Sequence, residues 1–390
     1  MYLLLKVLFS LTWILIFNEQ GQTKKFQTSA LQLLILDDNT DTILFEKQSD
    51  IVFFPASLAK LMTAEVVFYQ LKKGFLNKTQ KFKVSENAWR KGGAPSGTTT
   101  MFAKEKTEIS IFDLLHGLVI VNGNDAAIIL AEGIAGNEAN FAKLMNKRAK
   151  TLGLLHSHFV NATGLPEKGQ FTTLRDIITL VRHIAREYPD YYALYREPNF
   201  TWNKITQRNK NSLIFQENDV KIEGLGFGYS EEVGFSTVIS AYNNQQRIFL
   251  AINGLQNKQE RTKEVKRILE WAMTAFDLKT VFTRDEVVGY ASVYGGAQNS
   301  VPLNVKEPIS FMLLKQKNFN DVNAIIQYHG PLKAPVTTGQ KVGIIQIFSD
   351  KQLLVEKLIW AGADVQKGNF FVKVKDAFHE ITIGWLRKYL

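Results

Sequence analysis

A serine and a lysine are spaced so that they could act together as a nucleophile and its base. Ser57 and Lys60 form the only Ser-x-x-Lys sequence in the chain, and residues three positions apart share a helix face. Pro55 and Ala56 would open that helix, so Ser57 lies in its first turn, where the dipole favours developing negative charge. A lysine in an apolar helix loses hydration, so its pKa falls and the neutral amine can take the serine proton. The spacing predicts serine–lysine catalysis.

Both this pair and a second polar segment also have structural alternatives. A serine often caps a helix, and a lysine one turn later is usually on the surface. The helix predicted over residues 58–72 is apolar on nearly every face, which favours a buried helix with little polar surface for Lys60. Asn122, Gly123 and Asn124 interrupt two apolar helical segments. They are either a connector or a side-chain amide facing a cleft, able to hold a peptide carbonyl or the Lys60 amine.

Four segments together resemble one enzyme family. They are FPASLAKLMT from residue 54, VNGNDAA from residue 121, NATGLP from residue 161 and EGLGFGYSEEVGF from residue 223. In this order and at this spacing they are similar to the serine D-alanyl-D-alanine carboxypeptidases, the low-molecular-mass penicillin-binding proteins. The resemblance covers nearly the whole chain, from a signal peptide to an amphipathic tail.

The resemblance implies roles for the first two motifs. Ser57 would be the nucleophile, acylated by the penultimate D-Ala of a peptidoglycan stem peptide as the last D-Ala leaves, and Lys60 would be its general base. The family's Ser-x-Asn motif falls on residues 122–124. Asn124 matches and would hold the substrate amide, whereas Asn122 stands where the family has a proton-relaying serine. β-Lactams would acylate the same nucleophile as inhibitors.

The third motif departs further from the family. The family's Lys-Thr-Gly falls on Gly226, Phe227 and Gly228, so the cation and the hydroxyl that receive the substrate carboxylate are both absent. A charge-assisted hydrogen bond contributes about 1.5–3 kcal/mol. Loss of one transition-state contact can lower a rate roughly 10²–10³-fold. Phe227 also adds bulk to the wall of the cleft.

The remaining implied site residues use main chain or lie on a later helix. By resemblance, the oxyanion hole is formed by the backbone N–H groups of Ser57 and Tyr229, and the substitutions leave those groups unchanged. Arg261 falls on the family's arginine that helps to bind the substrate carboxylate. No metal and no cofactor take part.

Two functional hypotheses follow, and a third is disfavoured. In the first, the protein is a D,D-carboxypeptidase in which Arg261 takes over the carboxylate; the intact Ser57–Lys60 pair favours this. In the second, the fold persists as a peptidoglycan-binding or regulatory protein with little turnover; the altered third motif favours this. A β-lactamase shares the Ser-x-x-Lys logic, but a downstream β domain argues against it.

The elements that must position these residues predict an α+β fold. A penicillin-binding/β-lactamase-like catalytic domain, with an antiparallel sheet and a helical subdomain holding residues 122–124, would occupy residues 25–278. Its sheet includes a hairpin of residues 234–242 and 247–252, followed by a helix over 258–276. Asp125 is expected to cap the helix after the Asn-Gly-Asn turn.

The ends of the chain carry three further segments. Residues 1–23 resemble a secretory signal peptide, with Lys6 before a short apolar run; an uncleaved anchor and a buried N-terminal helix are the alternatives. Residues 279–375 form a small all-β domain of short strands, the last of them over 370–374. Residues 376–390 form an amphipathic tail with apolar residues at helical spacing, which would either lie on a membrane surface or dock on the β domain. The protein is therefore expected in the periplasm, peripheral on the inner membrane.

Composition excludes several other classes of protein. Cysteine is absent, which removes disulfides, thiolate metal sites and cysteine nucleophiles. The six histidines form no HExxH sequence, so no metal site is predicted. The net charge of +10 is compatible with nucleic acid, anionic lipid or an acidic polymer. Nucleic-acid binding has no motif in its support, whereas peptidoglycan and the inner-membrane surface are both anionic.

Overall fold

The computed structural model describes residues 26–215, 220–243 and 246–382. Its helices are α1 (Ala59–Lys72), α2 (Glu86–Gly92), α3 (Ile111–Val119), α4 (Asn124–Ala135), α5 (Glu138–Thr151), α6 (Leu174–Glu187), α7 (Pro189–Tyr192), α8 (Lys258–Thr274) and α9 (Phe370–Thr382). Its strands are β1 (Gln32–Asp37), β2 (Ile43–Lys47), β3 (Lys81–Lys83), β4 (Glu108–Ser110), β5 (Asn199–Trp202), β6 (Ile205–Arg208), β7 (Lys221–Ser230), β8 (Gly234–Tyr242), β9 (Arg247–Leu255), β10 (Phe276–Phe282), β11 (Val287–Tyr294), β12 (Ser300–Asn304), β13 (Ile309–Leu314), β14 (Val322–Tyr328), β15 (Leu332–Lys333), β16 (Lys341–Ser349) and β17 (Gln352–Ala361).

A five-stranded antiparallel sheet carries the catalytic domain. Its strand order is β2-β1-β9-β8-β7, so β2 and β7 are the two edges. One face packs against α8, and the other packs against a helical layer that includes α1 and α6. The predicted β8–β9 hairpin and the α+β fold class are confirmed.

Helix α1 lies within this helical layer and is buried along most of its length. Its apolar residues cover nearly every face, as the sequence predicts, so the polar residues Lys60, Thr63 and Glu65 are enclosed as well. Glu65 is fully buried and paired with Arg148 of α5, which satisfies its charge and fixes α1 against α5.

The Asn-Gly-Asn turn joins α3 to α4. The Ser110 side chain caps α3 by accepting from the Asp113 amide at 3.1 Å. Asn122 adopts a left-handed conformation with φ of 60°, which asparagine tolerates better than most residues.

The predicted cap of α4 is wrong. The residue preceding α4 is Gly123, and Asp125 lies in the first turn of the helix. Its carboxylate instead accepts hydrogen bonds from the Thr100 hydroxyl at 2.6 Å and from the backbone amides of Met101 and Ala103. Asp125 therefore holds the loop of residues 100–103 against α4. Rules for helix capping consider only neighbouring residues, so they do not predict this contact.

The helix predicted over 258–276 ends earlier. Helix α8 stops at Thr274, and Phe276 begins β10, where its ring packs edge-on against Trp271 at 5.1 Å between centroids. Because β10 pairs with β13 of the C-terminal domain, the predicted boundary between residues 278 and 279 falls inside a strand. Phe276 continues the apolar spacing of the helix, so sequence spacing alone extends the helix too far.

The C-terminal domain is a β structure built around a six-stranded sheet of order β14-β16-β17-β12-β11-β15. Its own apolar core is centred on residues such as Val301, Phe311 and Ile359. The domain also contacts the turn between β1 and β2. The backbone amide of Met312 donates to the Thr42 hydroxyl at 3.1 Å, and Lys357 pairs with Asp41 at 2.9 Å.

The strand predicted over 370–374 is wrong, because this segment begins α9. Aromatic and β-branched residues favour a strand locally. However, Phe371, Val374 and Phe378 are spaced along one side of a helix and are all exposed. The predicted end of the β domain at 375 and start of the tail at 376 therefore fall inside this helix.

Both ends of the chain extend beyond the described residues. The predicted signal peptide, residues 1–23, and the last eight residues, 383–390, lie outside the described residues. Within the described ranges, no helix has both the length and the apolar character needed to cross a bilayer.

Candidate active site

The serine and the lysine identified from their spacing lie together at the start of α1. Lys60 Nζ donates hydrogen bonds to Ser57 Oγ at 3.0 Å and to the backbone carbonyl of Thr163 at 2.8 Å. Ser57 lies in a 3₁₀ turn of residues 56–58, directly before the helix. The Lys60 side chain is only 4% exposed. The two groups are therefore placed for a direct proton transfer.

Burial changes the proton affinity of the lysine. Removal from water lowers the pKa of Lys60 to about 7, although the negative charge of Asp125 acts in the opposite direction. An amine with this pKa is substantially neutral at neutral pH. It can accept the Ser57 proton, which an ordinary surface lysine cannot do.

The turn that carries Ser57 is held by close backbone approaches. Ala56 has φ of 47°, a conformation that non-glycine residues rarely adopt. Strand β7 runs beside it: a Cβ at Gly228 would lie 3.0 Å from the Pro55 carbonyl oxygen. The absence of a side chain at Gly228 thus lets the edge strand approach the nucleophile, and Tyr229 follows at once.

A loop of residues 161–164 aims the Thr163 carbonyl at Lys60. Asn161 Oδ1 accepts from the Thr163 and Gly164 amides at 3.3 and 2.8 Å, which fixes the turn. Gly164 has φ of 76°, and a Cβ there would lie 1.7 Å from the Ala56 carbonyl oxygen.

Residues 161–164 belong to one of the four segments that carry the family resemblance, but their contact with Lys60 was not predicted. An asparagine two residues before a threonine and three before a glycine is typical of a tight side-chain-to-backbone turn. The turn itself could therefore be predicted from the sequence. Its contact with Lys60 could not, because Thr163 and Lys60 are 103 residues apart in sequence.

The two asparagines of the second motif have different surroundings. Asn122 lines a small cavity next to Ser57 and Lys60, and its Nδ2 is buried with no hydrogen-bond partner. Asn124 does not line that cavity; its Nδ2 donates to the Thr98 hydroxyl at 2.9 Å. Asn122 therefore lines the cavity that contains the Ser57–Lys60 pair, and the Oδ1 of Asn124 is likewise buried without a hydrogen-bond partner.

The third motif forms one wall of the same cavity. Gly226 and Phe227 line it beside Lys60. The Arg261 guanidinium lies over the Phe227 ring at 5.6 Å and over Phe235 at 6.0 Å. Burial lowers the pKa of Arg261. Among the described residues it has no carboxylate partner, and it lines neither cavity that contains Ser57.

A second, wider groove opens on the other side of Ser57. It has a volume of about 930 Å³, and Gly164 and Tyr229 are among its lining residues. The Tyr229 ring is half exposed and packs against Phe235 in a tilted arrangement, with 4.6 Å between the ring centroids. Ser57 therefore lines both a small cavity and a wider, more open groove.

Two family matches cover most of the chain. Residues 18–257 match the family described as D-alanyl-D-alanine carboxypeptidase. Residues 276–367 match the one described as penicillin-binding protein 5, C-terminal domain. The D-alanyl-D-alanine carboxypeptidase DacA of Haemophilus influenzae is 31% identical over 352 residues, covering 90% of this chain and 88% of that protein.

Solved structures show the same relationship. Penicillin-binding protein 5 from Haemophilus influenzae has a TM-score of 0.75 at 30% identity and covers 88% of this chain and 99% of its own. Penicillin-binding protein D2 from Listeria monocytogenes, solved with cefotaxime bound, has a TM-score of 0.57 at 25% identity, covering 64% of this chain and 99% of its own. The chain belongs to the serine D-alanyl-D-alanine carboxypeptidase family. Its members are hydrolases of the bacterial cell wall, and the family predicted from the sequence is confirmed.

The pKa of Lys60 predicts how acylation depends on pH. Because only the neutral amine can accept the Ser57 proton, the rate of acylation by a penicillin should rise with pH and level off above about 7. Below that pH the rate should fall about tenfold per unit. Mass spectrometry of the adduct formed over time between about pH 5 and 9 measures this, with Ser57→Ala as the blank. A flat profile would contradict the assignment of Lys60 as base.

The contact between Gly164 and Ala56 predicts a large effect of a single methyl group. Gly164→Ala should slow acylation roughly 10²-fold, because the new Cβ must displace the turn that carries Ser57. Gly153→Ala is the matched control: Gly153 has φ of 75°, but a Cβ there meets no atom within 4 Å. Both variants are compared at equal folded fraction, checked by thermal denaturation. Equal losses would show that backbone conformation, rather than this contact, limits the rate.

Proposed function

We propose that this protein removes the terminal D-Ala from peptidoglycan stem peptides through an acyl-enzyme on Ser57. The observation that carries the proposal is the hydrogen bond between the Ser57 hydroxyl and Lys60, whose burial lowers its pKa to about 7. A surface lysine would stay cationic and a lone serine would stay unreactive at neutral pH. Together they form the nucleophile and base that this family's chemistry requires.

Each step of the reaction has a group to perform it. Ser57 Oγ attacks the carbonyl carbon of the penultimate D-Ala while Lys60 takes the hydroxyl proton. The backbone N–H groups of Ser57 and Tyr229 would hold the oxyanion. The C–N bond then breaks, and the departing D-Ala amine takes the proton from Lys60. Water hydrolyses the ester and restores Ser57.

The structure supports the proposed substrate-binding residues less fully than it supports the proposed nucleophile and base. Asn122 and Asn124 would hold the substrate amide, and Gly226, Gly228 and Arg261 would flank its carboxylate. The Arg261 guanidinium, however, lies over aromatic rings outside the cavity. Phe227 provides no hydroxyl. These two observations favour a second candidate, a protein that binds peptidoglycan or regulates cell-wall enzymes with little turnover.

We also propose that the protein is exported to the periplasm and lies on the inner membrane. Helix α9 exposes Phe370, Phe371, Val374 and Phe378, with exposed fractions from 51% to 80%. An apolar helix face of this kind can enter the headgroup region of a bilayer. The net charge of +10 suits both anionic lipid and peptidoglycan.

Two reagents, each added to the same purified protein, test the proposed function. A labelled penicillin reports acylation, and a peptide ending in D-Ala-D-Ala reports release of D-Ala. We expect an adduct and D-Ala release, both absent in Ser57→Ala. An adduct without D-Ala release indicates an acyl-enzyme that does not turn over. Neither signal, with retained binding to isolated cell-wall sacculi, supports the second candidate.

Restoring the third motif should raise the rate. In the double variant Gly226→Lys with Phe227→Thr, acylation should rise roughly 10²-fold, because a cation and a hydroxyl return to the cleft wall. A Cβ at residue 226 lies 3.1 Å from a Leu58 methyl, which must move slightly. The same double change in the Ser57→Ala background should stay inactive. If the rate is unchanged while the variant remains folded, the third motif is not what limits this protein.

A further inference from the structure

The segment before β7 contributes to the same small cavity that the third motif lines. Lys210 and Asn211 line this cavity together with Ser57, Lys60 and Asn122. The segment is therefore near the reacting groups although it belongs to none of the three motifs. It also faces the cavity where Gly226 and Phe227 provide neither a cation nor a hydroxyl.

Two buried amides at this cavity have donors without acceptors. Asn122 is 8% exposed, and neither its Nδ2 nor that of Asn211 has a hydrogen-bond partner. Asn211 Oδ1 accepts from the Leu213 amide at 3.1 Å, which turns Nδ2 towards β7. A Cβ at Gly224 would lie only 2.2 Å from that Nδ2, so the absence of a side chain there leaves room for the amide. Unpaired buried donors are costly, so a ligand with acceptor oxygens suits this position.

The backbone of this segment is firmly held. The Lys210 amide donates to the Ile120 carbonyl at 3.2 Å, which ties the segment to the turn that contains Asn122. Asn209 Oδ1 accepts from the Asn211 amide at 2.9 Å, and Asn209 Nδ2 donates to the Glu197 carbonyl. The cavity wall is thus preorganised, which reduces the entropy lost when a ligand binds.

Lys210 is an exposed residue at this cavity, and its flexible side chain can bring the ammonium group to a ligand there. Within the described ranges its side chain has no ion pair and no hydrogen bond. Lys60, the other lysine at the cavity, is occupied by Ser57 and Thr163. Arg261 lies over the Phe227 ring and does not line the cavity.

We propose that Lys210, with the side-chain amides of Asn122 and Asn211, binds the terminal carboxylate of the substrate in place of the lysine and threonine that the third motif lacks. A cation beside two amide donors is the arrangement that recognises a carboxylate. The inference rests on the proposed function for its substrate, but it can be tested by binding without turnover.

The experiment measures equilibrium binding in the Ser57→Ala background. Two titrants are compared by calorimetry: a peptide ending in D-Ala-D-Ala and the same peptide with a C-terminal amide, which has no carboxylate. The protein with Lys210 should prefer the carboxylate. Lys210→Met should weaken binding of the carboxylate peptide about 10–100-fold, because a hydrogen bond to a charged group is lost. Binding of the amide peptide should hardly change.

Two further variants keep the test specific. Lys210→Arg retains the cation and should retain most of the preference. Lys221→Met removes an exposed lysine of β7 that lines neither cavity, so it controls for net charge. Thermal denaturation checks that every variant is folded. On the Ser57 protein, Lys210→Met should raise KM for D-Ala release far more than it lowers kcat.

Failure of the inference is distinguishable from failure of the proposed function. An unchanged carboxylate preference in Lys210→Met overturns the inference, as does an equal loss in Lys221→Met. Loss of the preference in Arg261→Met but not in Lys210→Met assigns the carboxylate to Arg261 instead. If the Ser57 protein releases no D-Ala but Lys210 still governs carboxylate binding, the inference stands and the proposed turnover fails.

Discussion

The chemistry of this protein depends on keeping one amine out of water. Lys60 can serve as a base only because α1 is enclosed by other helices and by the sheet, so the amine has little hydration to stabilise its charge. In the neutral form the amine still donates an N–H to the Thr163 carbonyl, while its lone pair can accept from the Ser57 hydroxyl. The core that surrounds the helix is thus as much a part of the site as the serine. A cavity that admitted water beside Lys60 would restore an ordinary, inactive cation.

The site divides into a part that is complete and a part that is altered. The proposed nucleophile and base, Ser57 and Lys60, depend on helix burial and on close backbone approaches, and the structure has both. The groups expected to recognise the substrate carboxylate depend on the identity of individual side chains at 226 and 227, and these have changed. Covalent chemistry and substrate recognition are therefore separable here. The segment around Lys210 provides the chemical groups that a replacement recognition site requires.

The sequence predicted a structural feature correctly where the contacts that determine the feature join neighbouring residues. The Ser57–Lys60 spacing, the apolar surface of α1 and the β8–β9 hairpin could all be predicted, because each depends on neighbouring residues. It failed where a distant contact decides. Asp125 binds a loop instead of capping α4, and residues 370–374 have a strand-like composition but form a helix. Neither the Thr163 carbonyl nor Lys210 could be assigned to the site, since the fold brings both there from far along the chain.

The attachment of the C-terminal domain has a mechanical consequence. That domain holds the β1–β2 turn through Thr42 and Asp41, at one edge of the catalytic sheet, whereas Ser57 lies beside β7 at the other edge. Four strand spacings separate the two edges, roughly 19 Å at the usual distance between strands. Force applied through the C-terminal helix would be borne by the turn and spread through the intervening ladders. The catalytic edge is therefore the part of the sheet that such a force reaches last.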